Sequence, residues 1–198
     1  YFGNNTLKDI YDYEPVQADW KPEYASLLKG VQASMWTEFC NKPEDVDYLV
    51  FPRLAALAEV AWTQPVRKEW TAFLKGLDAY NEHLTAKGIV YARSMYNIQH
   101  TVTPNNGMLE VKLECIRPDM EIHYTTDGSE PTATSPLYEK IVPVKEALTL
   151  KGATFAHGRQ MGKTLILPVR WNLATAKPVL GTNPTEKLLT NGIRGSLK

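Results

Sequence analysis

The 198-residue sequence has no excess of either charge, since 22 Lys and Arg stand against 22 Asp and Glu. Nucleic acids and anionic membranes are held by clustered Lys and Arg, so neither is an expected partner. No apolar run approaches the roughly 20 residues of a membrane-spanning helix. Cysteine is sparse: Cys40 and Cys115 stand alone, outside any C-x-x-C or Cys/His ligand spacing. They read as two free thiols, with a disulfide between them as the alternative. His83, His100, His123 and His157 are scattered, so no metal ion is implied. A Gly-rich phosphate loop, a G-x-S-x-G elbow and an H-E-x-x-H helix are all missing, and no cofactor is implied. The sequence starts at Tyr1 with no signal-peptide pattern, and we read it as a piece of something longer. With 43% apolar and 10% aromatic residues, the composition is that of an ordinary globular protein. That leaves aromatics and carboxylates to carry any chemistry.

The first hundred residues have helical periodicity with one strand among them. Thr6 followed by Asp9 is a capping signal for a short helix through Leu7, Ile10 and Tyr11, stopped by Pro15. Pro22–Lys29 suits another short helix, closed by Gly30. Val31–Trp36 places apolar residues at 31, 33 and 35 and reads as a short strand, with the loop leaving it through Glu38 to Cys40. A helix opens at Asn41-Lys42-Pro43, where the missing N–H of proline costs nothing. Glu44, Asp45 and Asp47 favour its positive end, and they read as a solvated helix start rather than a metal cluster. Val46, Leu49, Val50, Leu54, Leu57, Ala58 and Trp62 recur every three or four positions, which predicts one broad apolar face. Pro52 predicts a kink between Tyr48 and Pro52. A second helix is expected from about Val66 to Ala86, ended by Gly88.

After about Gln99 the period changes from 3.6 to 2. Met108–Cys115 and Met120–Thr126 alternate apolar and polar residues, and Leu148–Phe155 and Thr164–Trp171 are strand-like. Thr126–Pro131 and His157-Gly158-Arg159 are turn-forming. Strands at this spacing predict a small β-sandwich. Tyr124, Tyr138, Phe155 and Trp171 fill its core or line a sugar-binding face, with the core the favoured reading. Asp127 and Gly128 are a turn pair, because the other acidic positions of a calcium loop are missing. Ala174–Glu186 has no periodicity and reads as a linker.

A strand followed by a long amphipathic helix is one unit of a parallel sheet or a β/α barrel. A closed barrel takes about 250 residues, more than this part of the chain offers. The segment Gly30-Val31-Gln32-Ala33-Ser34-Met35-Trp36-Thr37-Glu38, followed by Phe51-Pro52-Arg53-Leu54-Ala55-Ala56-Leu57-Ala58-Glu59-Val60-Ala61-Trp62, resembles the last strand and last helix of family 20 glycoside hydrolases, the β-N-acetylhexosaminidases. Thr6–Pro15 resembles the stretch that precedes that strand. Ile122–Pro131 and Lys151–Phe155 resemble the immunoglobulin-like C-terminal domain of many bacterial members. Thr185–Gly195 resembles the opening of a discoidin-like carbohydrate-binding module, and with no module to fold into it is expected to be loose.

The fold class implied is α/β plus all-β: a terminal β/α portion of a TIM barrel over 1–98, an immunoglobulin-like sandwich over 99–173, and a linker with the start of a further module over 174–198. The resemblance implies hydrolysis of terminal N-acetylhexosamine by substrate-assisted retention, an exception to the two-carboxylate scheme. The substrate acetamido oxygen attacks, while an Asp-Glu pair orients it and supplies the acid and base. No Asp is followed directly by Glu anywhere in the sequence, so that catalytic pair is expected upstream. By the same resemblance, Trp36 walls the sugar pocket and Glu38 accepts from the hydroxyls at C4 and C6. Arg53, Glu59 and Trp62 are read as structural residues of the last helix. Partners implied are N-acetylhexosamine-containing glycans or chitooligosaccharides, and the family implies an exported protein. The alternative is a non-catalytic carbohydrate-binding or spacer module.

Overall fold

The computed structural model describes residues 5–177 and 190–193, and the chain divides into two units between Ser94 and Met95. The first unit is helical. Thr6 caps α1 (Leu7–Asp12), its hydroxyl accepting from the Asp9 N–H at 3.1 Å while the Asp9 carboxylate accepts from the Thr6 N–H at 2.8 Å. This is the reciprocal box that the spacing predicts. The helix α1 buries Leu7 and Tyr11, and the Tyr11 ring lies 4.9 Å from both Trp70 and Phe73, with the Lys8 and Lys68 ammonium groups over its face. α2 spans only Pro22–Ala25, shorter than expected.

Next come α3 (Pro43–Val50) and α4 (Arg53–Trp62). Pro43 sits at the start of α3, and the Asp45 carboxylate accepts from the N–H groups of Asn41 and Lys42 at 2.9 and 3.2 Å. Its acidic start is therefore a cap. The kink expected at Pro52 is a complete break. Pro52 has no N–H to continue the ladder and forces its predecessor out of the helical region. Phe51 accordingly lies at φ −94° and ψ 141°. The Arg53 guanidinium bridges the gap, donating to the Leu49 carbonyl at 3.0 Å and the Asn5 carbonyl at 3.1 Å, which accords with its structural reading.

A 3₁₀ turn (Pro65–Arg67) leads to α5 (Trp70–Ala86). The expected start at Val66 is corrected to Trp70 because Glu69 caps the helix. Its carboxylate accepts from the N–H groups of Thr71 and Ala72 at 3.0 and 2.5 Å, and the Thr71 hydroxyl, which donates to it at 2.7 Å, followed by these two bonds, holds its pKa below the ordinary value. Gly88 ends the helix at φ +70°. Gly88 and Ile89 donate to the carbonyls of Thr85 and Leu84 at 3.0 and 2.9 Å, the paired bonds of a Schellman motif.

One expectation for this unit is overturned. Residues 31–37 form no strand; the segment has no ladder partner among the described residues, and a lone segment cannot make a sheet. The broad apolar face of α3 and α4 is present and partly covered, with Val46, Val50 and Leu57 half-buried. Ala56 is fully buried, whereas Leu49 and Leu54 are exposed and Trp62 is 89% exposed.

The second unit has seven strands among the described residues: β1 (Gln99–Asn105), β2 (Met108–Glu114), β3 (Glu121–Thr125), β4 (Val142–Val144), β5 (Leu148–Ala156), β6 (Arg159–Gln160) and β7 (Leu165–Val169). One antiparallel sheet has the order β1-β2-β4; in the other, β5 pairs with β3, β6 and β7. Leu109, Val111, Leu113 and Val144 from the first sheet and Leu150, Leu167 and Val169 from the second share one core. The four anticipated strands are present, and β1, β4 and β6 are additional. β1 joins β2 through Asn106-Gly107, both at positive φ (48° and 77°), a turn whose twist suits a hairpin.

The β-unit begins on a buried polar knot. Arg117 is buried and holds Asp119 through two bonds of 3.0 and 2.6 Å, donates to the Tyr96 hydroxyl at 3.3 Å and stacks on its ring. The Thr154 hydroxyl donates to the Tyr96 carbonyl at 2.5 Å and accepts from the Gly162 N–H at 3.0 Å. Thr190–Ile193 are not loose, as the described residues there pack against this unit. Most of the expected linker and of the discoidin-like stretch lies outside the described residues.

A Cβ on Gly162 would stand 2.3 Å from the Tyr96 carbonyl oxygen, so Gly162→Ala is expected to cost about 1–3 kcal/mol in urea unfolding through forced repacking. Acid sensitivity is a second expectation. The Arg117 hydrogen bonds hold the Asp119 carboxyl below its ordinary range. A depressed folded-state pKa contributes stability above the unfolded value of about 3.9 and loses it as pH falls through the folded value. Urea midpoints measured across the acid range are expected to fall with pH, with a shallower fall in Asp119→Asn.

Candidate functional site

Trp36 lies in the irregular segment 31–37, and Glu38 stands in the turn that follows, where the Cys40 N–H donates to the Thr37 carbonyl at 3.0 Å. The turn leads directly into the start of α3. Thr37, Cys40, Asn41, Lys42, Pro43, Val46 and Asp47 line a shallow depression of about 530 Å³ beside it. No signal in the sequence marked these lining residues as a group. The Trp36 indole is 70% exposed and Glu38 is exposed as well. The structure thus places the two residues next to one another in the chain without enclosing them in a pocket. A bare indole face with a free carboxylate two residues on offers a C–H-accepting surface and a hydrogen-bond acceptor.

Other concave places have different chemistry. Leu54, Ala58, Trp62, Phe73, Leu77 and Tyr80 line an apolar groove of about 740 Å³ between α4 and α5, with Glu59 and Glu69 on its wall. Burial, and then these two carboxylates, push the neighbouring Tyr11 phenol up from its ordinary value. Trp171, Asn172, Thr175 and Lys177 edge a third depression of about 420 Å³. Two of its polar groups are already committed: Asn172 Oδ1 accepts from the Ala174 and Thr175 N–H groups, and the Thr175 hydroxyl accepts from the Asn172 N–H.

The aromatics of the β-unit are core residues. Phe155 is buried, and Tyr124, Tyr138 and Trp171 pack against the shared cluster. The Tyr138 hydroxyl accepts from the Leu113 N–H at 3.1 Å. Asp127 serves its turn, accepting from the Ser129 N–H and hydroxyl at 2.9 and 2.6 Å. Cys40 and Cys115 are free thiols, and burial pushes the Cys115 thiol up. No group of three metal-ligating side chains occurs among the described residues, and no described helix is long and apolar enough to cross a membrane.

Comparison with known proteins covers both units. Residues 2–65 match the model of the glycosyl hydrolase family 20 catalytic domain, and residues 104–165 match that of the chitobiase/beta-hexosaminidase C-terminal domain. A beta-hexosaminidase of Porphyromonas gingivalis is 31% identical over 169 residues, covering 80% of this chain and 21% of that protein. A beta-N-acetylhexosaminidase of Cellulomonas fimi is 39% identical over 71 residues, 36% of this chain and 14% of the relative. The beta-hexosaminidase subunit alpha of Mus musculus is 32% identical over 82 residues, 41% of this chain and 15% of the relative. The chain spans about a fifth or less of the length of these relatives. Carrying part of the catalytic domain followed by the C-terminal domain, the chain belongs to the family 20 glycoside hydrolases.

Proposed function

We propose that the chain is part of a β-N-acetylhexosaminidase that releases terminal non-reducing N-acetyl-D-hexosamine from glycans or chitooligosaccharides by substrate-assisted retention. The observation that carries this reading is the match of residues 2–65 to the catalytic domain, a stretch that contains Trp36 and Glu38. In this reading the first unit is the last β/α portion of a TIM barrel and the second an immunoglobulin-like sandwich. The parent is an exported enzyme.

Trp36 and Glu38 form part of the sugar pocket. The C–H face of a pyranose packs on the indole. Glu38 accepts from the hydroxyls at C4 and C6, each charged hydrogen bond contributing about 1.5–3 kcal/mol. Their exposure in this chain is what a pocket wall presents before the rest of the pocket stands against it. The reacting groups lie elsewhere: the acetamido oxygen of the substrate attacks, and the assisting Asp-Glu pair is supplied upstream of this sequence. Glu38 binds and does not protonate the leaving group.

In the full-length parent, Glu38→Gln is expected to lower kcat/KM on a chromogenic N-acetylglucosaminide by about 10–100-fold and to narrow discrimination between C4 epimers. Unchanged activity and unchanged epimer preference would remove Glu38 from the pocket. The 198-residue chain by itself is expected to show no turnover of the same substrate, and clear turnover would overturn the upstream placement of the catalytic pair.

A further inference from the structure

The last strand of the β-unit ends at Val169, yet the chain returns to that unit at Thr190–Ile193. Arg170 donates its N–H to the Gly192 carbonyl at 3.0 Å, and Ala176 donates to the Thr190 carbonyl at 2.9 Å. Two backbone hydrogen bonds therefore tie Thr190 and Gly192 to the segment that leaves β7, one at its first residue and one at the end of the turn over residues 173–176. Gly192 lies at φ +71°, and a Cβ there would stand 2.6 Å from the Arg170 carbonyl oxygen, 2.9 Å from Leu109 Cδ1 and 3.4 Å from Val169 Cγ1. Leu109 belongs to β2 in one sheet and Val169 to β7 in the other. The glycine consequently sits where the two sheets meet at one end of the core, and only a residue without a side chain approaches so closely.

The flanking residues act with it. Ile193 packs against the core cluster shared by both sheets, and Thr190 is buried. Asn191 Oδ1 accepts from the Ile193 N–H at 3.0 Å and fixes the local turn. On the facing side, Ala176 is buried at φ +59°, a conformation that L-residues seldom adopt and that persists only where the surroundings impose it.

We propose that Thr190–Ile193 is a clasp that closes this end of the two-sheet core, so that the folding unit extends to Ile193 instead of stopping near residue 173. The clasp pairs the backbone beyond β7 and covers Leu109 and Val169. Without it, the Arg170 and Ala176 amides lose their partners and that end of the sheet becomes a template for another chain. This inference is independent of the sugar-binding reading.

Amide hydrogen exchange resolved at Arg170 and Ala176 tests it, using the 198-residue chain, the chain ended at Lys177, and two full-length glycine variants. In the full chain both amides are expected to exchange at least about tenfold slower than in the shortened chain. Gly192→Val is expected to speed both amides as truncation does. Gly158→Val is the control, because Gly158 has a similar φ of +72° but a Cβ there would meet nothing within 4 Å, and it is expected to leave both amides slow. Equal rates in the full chain and Gly192→Val would overturn the clasp. So would equal acceleration in Gly192→Val and Gly158→Val, since the loss would then report general destabilisation. If the shortened chain does not fold, the two full-length variants still decide.

Discussion

A backbone amide removed from water must find another partner, and the two units meet this demand in different ways. The β-unit supplies its own partners. β2 stands between β1 and β4, β5 is paired on both sides, and the backbone beyond β7 is met by the returning segment at Gly192. Its core can be sealed because each sheet is complete enough to shield a face. In the helical unit, residues 31–37 have no regular secondary structure and no ladder partner among the described residues, and their side chains stay largely in water. The same unit leaves part of the apolar stripe of its helix pair uncovered and presents a tryptophan and a glutamate without walls around them.

Local features were legible wherever chemistry within a few residues decides them. Thr6 and Asp9 form the anticipated cap, Pro43 opens a helix, Gly88 closes one, and Pro52 interrupts the ladder where its missing N–H predicts. The misses also have local causes. Glu69 is an uncommon cap, and its role emerges only from the reach of its carboxylate to two amides, which moves the start of α5 from Val66 to Trp70. The hairpin signal Asn106-Gly107 was present in the sequence, but Pro104 and the polar residues before it hid β1. The three-residue β4 is too short to show a period, and only its pairing with β2 defines it. Periodicity identifies an apolar stripe on α3 and α4 but says nothing of what covers it, and Leu54 and Trp62 stand in its exposed part.

The candidate site was legible in a narrower sense. No period, charge cluster or ligand spacing distinguishes Trp36 or Glu38; they were singled out by the motif around them, and the comparison with known proteins supports the family that the motif suggested. Geometry adds where they stand and how much of each is free. Arg117 carries no such signal, because a single arginine in a loop looks solvated until Asp119 and Tyr96 stand around it. Its burial is stable only because the charge is paired and hydrogen-bonded in the same place.

These observations bear on how a sugar pocket of the proposed kind is assembled. A carboxylate in open water is hydrated, and exchanging that water for sugar hydroxyls yields little net free energy. The same hydrogen bonds discriminate between epimers only when water is excluded, because a misplaced hydroxyl then leaves a desolvated group unpaired. An exposed Glu38 beside an exposed Trp36 is therefore chemically suited to recognition while lacking the enclosure that makes recognition selective. On the proposed reading, selectivity resides in the walls that the remainder of the catalytic domain places around these two residues, and the energetic contribution of Glu38 is set as much by those walls as by its own charge.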